Sequence, residues 1–204
     1  MTTESDFYYT IEKEGQAEFK DRGSKFLALA FPLQKISDFK PILDGLKKTH
    51  PKANHHCFAY RIGFDGNTFR VSDDGEPSGT AGRPILGQID SKQLTNTLIV
   101  VVRYFGGTLL GVPGLINAYK TAASLVLQTT PIVQKPLEVN YSLQFDYTMV
   151  NEVMSIIKQT NSSILEKDMN LFCQMKIGIQ KSRLEEVLYK LRDLQKIEIE
   201  KVNS

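Results

Sequence analysis

At 204 residues the chain has room for one large domain or two small ones, and its 41% hydrophobic and 24% charged content is that of an ordinary globular protein. No apolar run approaches the roughly 20 residues that cross a bilayer, which excludes a membrane-spanning helix. The formal net charge of +2 is too small to name a partner, and two distant cysteines, Cys57 and Cys173, argue against a disulfide framework.

Hydrophobic periodicity parses the chain in order. Ile11–Lys20 and Lys25–Phe31 read as strands joined at Asp21-Arg22-Gly23-Ser24, where glycine supplies positive φ. Ile36, Phe39, Ile42, Leu43 and Leu46 share a helical stripe, with Ser37 or Asp38 as N-cap and Pro41 early enough to be tolerated. His56–Ile62 and Thr68–Val71 form a second strand pair across Asp65-Gly66-Asn67. A helix is expected to start near Thr80, with Pro84 in its first turn. Leu98–Val102, LIVVV, has no polar face and reads as a central strand buried on both sides. After a glycine loop, Leu115, Ile116, Tyr119, Ala122, Ala123, Val126 and Leu127 give a helix with a broad apolar face.

Thr129-Thr130-Pro131 and Lys135-Pro136 bracket a linker or edge strand. Beyond it the alternation is clean: Val139, Tyr141, Leu143 and Phe145 define a strand with one wet face, followed by a helix stripe at Val150, Val153, Met154 and Ile157. A weaker strand at Ser163–Lys167, a strong one over Leu171–Ile179, a helix stripe from Leu184 to Leu194 and a last strand at Ile197 and Ile199 complete it. The order β-α-β-β-α-β over about 65 residues is the ferredoxin-like, split βαβ arrangement, so the fold class is α+β. Charge divides slightly along the same lines: residues 1–136 carry 16 Lys/Arg against 13 Asp/Glu, net +3, and residues 137–204 carry 9 against 10, net −1.

The densest local signal is SDDGEPSGTAGRPILGQI, which sets Asp73, Asp74 and Glu76 ahead of the small residues Gly79-Thr80-Ala81-Gly82. The helix start attracts anions, yet two like charges at about 4 Å cost roughly 4 kcal/mol at an effective dielectric of 20, more than the roughly 0.3–1 kcal/mol of a helix terminus. A bare phosphate site is therefore disfavoured. The carboxylates could hold Mg²⁺ or Ca²⁺ with loop carbonyls, but no metal-binding motif accompanies them and strand neighbours His55 and His56 point to opposite faces. The plainer reading is a structural clamp, in which one carboxylate caps the helix near Thr80 and another of Asp73, Asp74 or Glu76 pairs with Arg103. Arg103 continues the face of Ile99 and Val101, so its guanidinium is buried and needs a partner. The second loop, YFGGTLLGVPGL, joins a strand to a helix but matches neither phosphate-binding glycine pattern; Gly106, Gly107 and Gly111 either cradle an anion or allow close packing beneath SGTAG. No catalytic residue is nominated: Cys57 and His56 diverge as strand neighbours, and Ser78 and Thr80 have no evident base.

HHCFAY, then SDDGEPSGTAGRPIL, then VVRYFGGTLLG together resemble the IMPACT/YigZ family over essentially the whole chain. The chain looks like the bacterial, two-domain type, departing from the pattern at Pro113, where the family usually has glycine and the loop loses an N–H. The resemblance implies an N-terminal domain at 1–133 similar to ribosomal protein S5 domain 2 and to domain IV of elongation factor G. It implies a C-terminal domain at 137–204 similar to domain V of that factor. For eukaryotic relatives it implies control of translation through competition for the activator of an amino-acid-sensing kinase. The expected function is a non-enzymatic, translation-associated regulator that binds RNA or the ribosome through a basic groove of Arg61, Arg83, Arg103, Tyr104 and Lys120, with Tyr104 or Phe105 stacking on a base. The alternatives are a metal-dependent hydrolase using the acidic loop, or a protein-interaction module using the apolar Leu109–Val112 tip. No cofactor, metal, membrane or DNA-specific partner is expected; the start MTTESDFYYT lacks a basic-then-apolar signal, and the two distant cysteines make a reducing cytoplasm the expected compartment.

Overall fold

The computed structural model describes residues 6–202. Tyr8–Lys135 form one compact unit, and the chain from Pro136 onward forms another that also takes in Asp6 and Phe7. The Leu137 amide donates to the Asp6 carbonyl at 2.8 Å, which ties that N-terminal pair to the second unit.

In the first unit β2 (Gly15–Asp21), β3 (Ser24–Pro32), β6 (Thr97–Tyr104), β4 (His55–Ile62) and β5 (Thr68–Ser72) lie side by side in that order, all antiparallel. The LIVVV run sits on the central strand β6, and pleating sends its side chains to two cores. Leu98, Val100 and Val102 pack with Phe58, Tyr60 and the Phe39 and Leu46 side chains of α1 (Ile36–Thr49). Ile99 and Val101 pack with Cys57, Ala59 and the apolar faces of α2 (Gly82–Ser91) and α3 (Gly111–Thr129). These five β6 side chains are fully buried, each contributing about 1.5–3 kcal/mol. Among the described residues no helix is long and apolar enough to cross a membrane.

Three local expectations change. The first predicted strand divides at Glu12-Lys13-Glu14: β1 (Phe7–Ile11) leaves the main sheet and pairs with β7 (Ile132–Pro136), fastened by Lys135–Glu12 at 2.8 Å. Of the bracketed segment, expected as a linker or an edge strand, Thr129 instead ends α3 and Thr130 caps it, and the strand alternative holds over Ile132–Pro136. Helix α1 begins at Ile36 with Lys35 as N-cap and no side-chain cap, because the Ser37 hydroxyl turns to Asp38 instead.

The second unit runs β8 (Glu138–Asp146), α4 (Val150–Thr160), β9 (Ser163–Met169), β10 (Phe172–Gln180), α5 (Leu184–Asp193) and β11 (Ile197–Lys201). Its sheet order is β11-β8-β10-β9. Leu143, Phe145, Cys173, Met175 and Ile177 on one sheet face pack with Val153 and Ile157 of α4 and Val187 and Leu191 of α5.

Candidate functional site: the acidic loop and the surface above it

The acidic loop connects β5 to α2 and turns on positive φ at Asp74 (43°) and Gly75 (90°). Its three carboxylates go to three different places. Asp73 accepts N–H bonds from Gly79 (2.8 Å), Ala81 (3.0 Å) and Gly82 (2.8 Å), capping the start of α2 from across the loop. Gly82 is required there, since a Cβ would sit 2.8 Å from the Ser72 amide nitrogen. Thr80, 1% exposed, donates its hydroxyl to the Pro77 carbonyl at 2.7 Å and does not cap. Asp74 accepts the His56 amide at 2.6 Å and lies 3.8 Å from the exposed Lys47 ammonium. Glu76 turns inward.

Glu76 Oε1 meets Arg103 Nη1 at 2.6 Å, with both side chains at least nine-tenths buried. The Tyr119 hydroxyl donates to the same oxygen at 2.7 Å, and Cys57 Sγ lies 3.3 Å from that hydroxyl. The Arg103 guanidinium lies over two rings, 5.4 Å from the Phe26 centroid and 5.6 Å from the Phe105 centroid. His55, opposite Arg103 in the ladder, donates Nδ1–H to the Asp74 carbonyl at 2.8 Å, which directs Nε2 toward Glu76 at 3.8 Å. Among the described residues no three His, Cys, Asp or Glu side chains are disposed to hold a metal ion. Each loop carboxylate is instead engaged by protein donors.

Burial pushes the Cys57 thiol and the Tyr119 phenol far up, so neither ionises as a nucleophile or base near neutrality. For Asp73, burial acts upward, but donation from Gly79, Gly82 and Ala81 together outweighs it and holds the carboxyl below its ordinary 3.8. Its stabilisation is therefore present above 3.8 and lost as pH falls through the lower folded value. Asp73→Ala, which abandons three donors, is expected to destabilise the first unit by about 1–3 kcal/mol, with Asp73→Asn losing less; chemical denaturation of the full chain measures both.

His56 titrates in a separate window. Burial drives it below its ordinary 6.5, partly offset by Asp74, and its Nε2 has no hydrogen-bond partner. An unfolded chain takes up that proton before the folded one does. Stability is then full above 6.5 and falls as pH drops toward the folded value. Thermal melts between about pH 8 and about pH 5.5 should show this decline, and His56→Leu should flatten it.

The five residues expected to form one basic groove do not converge. Arg61 lies opposite Thr97, while His55 lies opposite Arg103; the intervening length of β4 is about 20 Å. Arg61 is held there by Asp90 at 2.7 Å and packs over Phe69. Arg103 is 5% exposed and bound to Glu76, so it faces inward where a phosphate contact needs it outside. Tyr104, its strand neighbour, points to the α1 side, half-buried, with its hydroxyl 2.8 Å from His50 Nδ1. Arg83 on α2 and Lys120 on α3 are exposed.

The glycine loop supplies what the groove lacks. Gly106 packs against the backbone of Gly23 in the β2–β3 turn, and a Cβ there would overlap it. Its close contact is therefore that turn, and not the SGTAG segment. Gly107 and Gly111 take positive φ, 85° and 70°, with open space around Gly107. This approach brings exposed Arg22, next to Gly23, beside the loop, a neighbour that local sequence could not disclose. Phe105 is 44% exposed, its amide fixed by Asn54 Oδ1 at 2.8 Å and its ring backed by Arg103. Of the apolar tip, Leu109 is 82% exposed and Val112 51%, whereas Leu110 is core.

Residues 22–127, which hold the acidic loop, the buried pair and the glycine loop, match the model of the Impact N-terminal domain. The IMPACT family member YigZ of Escherichia coli (strain K12) is 31% identical over 83% of this chain and 84% of its own length. The IMPACT family member YvyE of Bacillus subtilis (strain 168) is 33% identical over 78% of this chain and 73% of its own. The crystal structure of a hypothetical protein superposes with a TM-score of 0.76 at 26% identity, over 98% of this chain and 99% of that one. Motifs, family model and both relatives agree: the chain belongs to the IMPACT family.

Proposed function

We propose that this protein is a translation-associated regulatory protein that binds RNA or the ribosome through the surface around Phe105, rather than an enzyme. The observation that carries the reading is Phe105 itself: a half-exposed aromatic ring, backed by a buried guanidinium and locked through its own amide. Such a platform suits stacking of an unpaired base, while Arg22 beside the loop supplies exposed charge for phosphates and Lys120 on α3 is a further exposed cation. The reading fits the domains that the resemblance implies, a first one similar to ribosomal protein S5 domain 2 and elongation factor G domain IV and a ferredoxin-like second one similar to domain V. It also fits the translational role that the IMPACT resemblance implies. Hydrolysis is the poorer reading because Asp73, Asp74 and Glu76 already serve protein donors. A protein partner is a second reading, favoured by Leu109 and Val112 at the loop tip.

The test is co-sedimentation with ribosomes from a low-salt lysate, together with retention on single-stranded RNA as salt is raised. Steep loss with salt is expected; absence of any salt-sensitive retention sinks the proposal.

A further inference from the structure

The second unit leaves two strand edges, β11 and β9, and one sheet face without a partner among the described residues, and β9 is the edge that borders an apolar groove. β9 ends the order β11-β8-β10-β9, so its outer backbone groups have no strand partner among the described residues. Ile164 to Met169 are all exposed. An open edge of this kind is a template for an incoming strand.

Register sets the two sides that such a strand would meet. Ile164 lies opposite Ile177, Lys167 opposite Met175 and Met169 opposite Cys173, all on the helix side, and the register shifts by one residue at Leu165. There an apolar groove of about 540 Å³ opens between α4 and β9, lined by Met154, Ile157 and Ile164. Glu166 and Asp168 lie opposite Lys176 and Gln174, on the side away from the helices. That side is acidic, because the pairing also places Glu198, Glu200 and Asp146 on it. Lys176 is the one ammonium among the described strand residues there, 3.7 Å from Glu166.

We propose that β9 takes up an extended segment of a cationic partner protein whose side chains alternate between apolar and Lys/Arg. Its backbone continues the ladder, its apolar side chains enter the Met154 groove, and its cations meet Glu166 and Asp168. From Glu166 to Met169 the period of two follows from strand pleating, and the sign follows from the carboxylates. The same face repels a polyanion, so this surface is independent of the RNA reading for the first unit.

Fluorescence anisotropy of the full chain with a labelled synthetic peptide of about eight alternating Val and Lys residues tests it, alongside amide hydrogen exchange. Binding, new protection in β9, and loss of about tenfold or more in affinity for E166K/D168K and for Met154→Asp are expected. All three side chains are exposed, and a wild-type melt qualifies each variant. Equal binding of a peptide with Val and Lys in separate blocks overturns the proposal, as does unchanged exchange in β9. A β9-dependent dimer of the protein alone would assign the edge to a second copy instead, and crosslinking of RNA to Glu166 or Glu198 would refute the charge argument.

Discussion

Glu76→Gln and Arg103→Met, made singly, are each expected to destabilise the first unit by about 3–5 kcal/mol, and the two together by much less than the sum. The reason is asymmetric. Either single change leaves a charge or its hydrogen-bonding partners stranded where water cannot reach, since the two side chains are 4% and 6% exposed. Glu76→Gln keeps an amide oxygen that can still accept from Tyr119, but it removes the counter-charge of a guanidinium that lies over Phe26 and Phe105. The double change removes both charges together, so their mutual dependence disappears with them. Thermal melts of the four proteins read this directly, at about 2–4 °C per kcal/mol for a chain of this size. Additive losses, or singles within about 1 kcal/mol of wild type as for an exposed pair, would show that the clamp does not hold the fold.

Phe105→Ala is expected to weaken single-stranded RNA binding by about 1–3 kcal/mol, with a loss of folding stability no larger than the roughly 0.5–2 kcal/mol of its contact with Arg103. Arg22→Glu and Lys120→Glu should each lower affinity and also flatten its dependence on salt, by about 0.7 in the logarithmic slope for each phosphate no longer neutralised. Arg61→Glu is the internal control. It breaks the ion pair with Asp90 at the far end of β4 and should leave RNA affinity as it was. If Arg61→Glu weakens binding as much as Lys120→Glu does, the RNA-binding surface lies elsewhere.

Much of this architecture is legible in the sequence where one residue's position dictates its neighbours. LIVVV has no polar residue and so must lie between two cores, as Val100 and Val101 do on opposite faces of β6. Strand parity alone puts Arg103 on the buried face and requires a counter-charge nearby. The alternation from Val139 to Phe145 similarly fixes the inner face of the second sheet. What parity cannot supply is long-range placement. The identity of the acid that reaches Arg103 depends on the backbone turn at Asp74 and Gly75, which sends Glu76 inward and Asp73 to α2. The same blindness groups Arg61 with Arg103, although the length of one strand separates them. Arg22 escapes notice because the approach of Gly23 to Gly106 joins two loops far apart in sequence. β1 is missed because its partner, β7, lies more than a hundred residues away.

Ultraviolet crosslinking of bound RNA, with the modified peptides identified, bears most directly on a clamp facing inward beneath a binding surface facing outward. Adducts are expected on Phe105 and its immediate loop, with none at Asp73, Asp74 or Glu76. Chelator-sensitive turnover of a substrate that Glu76→Gln abolishes in a still-folded protein, with no adduct at the Phe105 loop, would contradict the account.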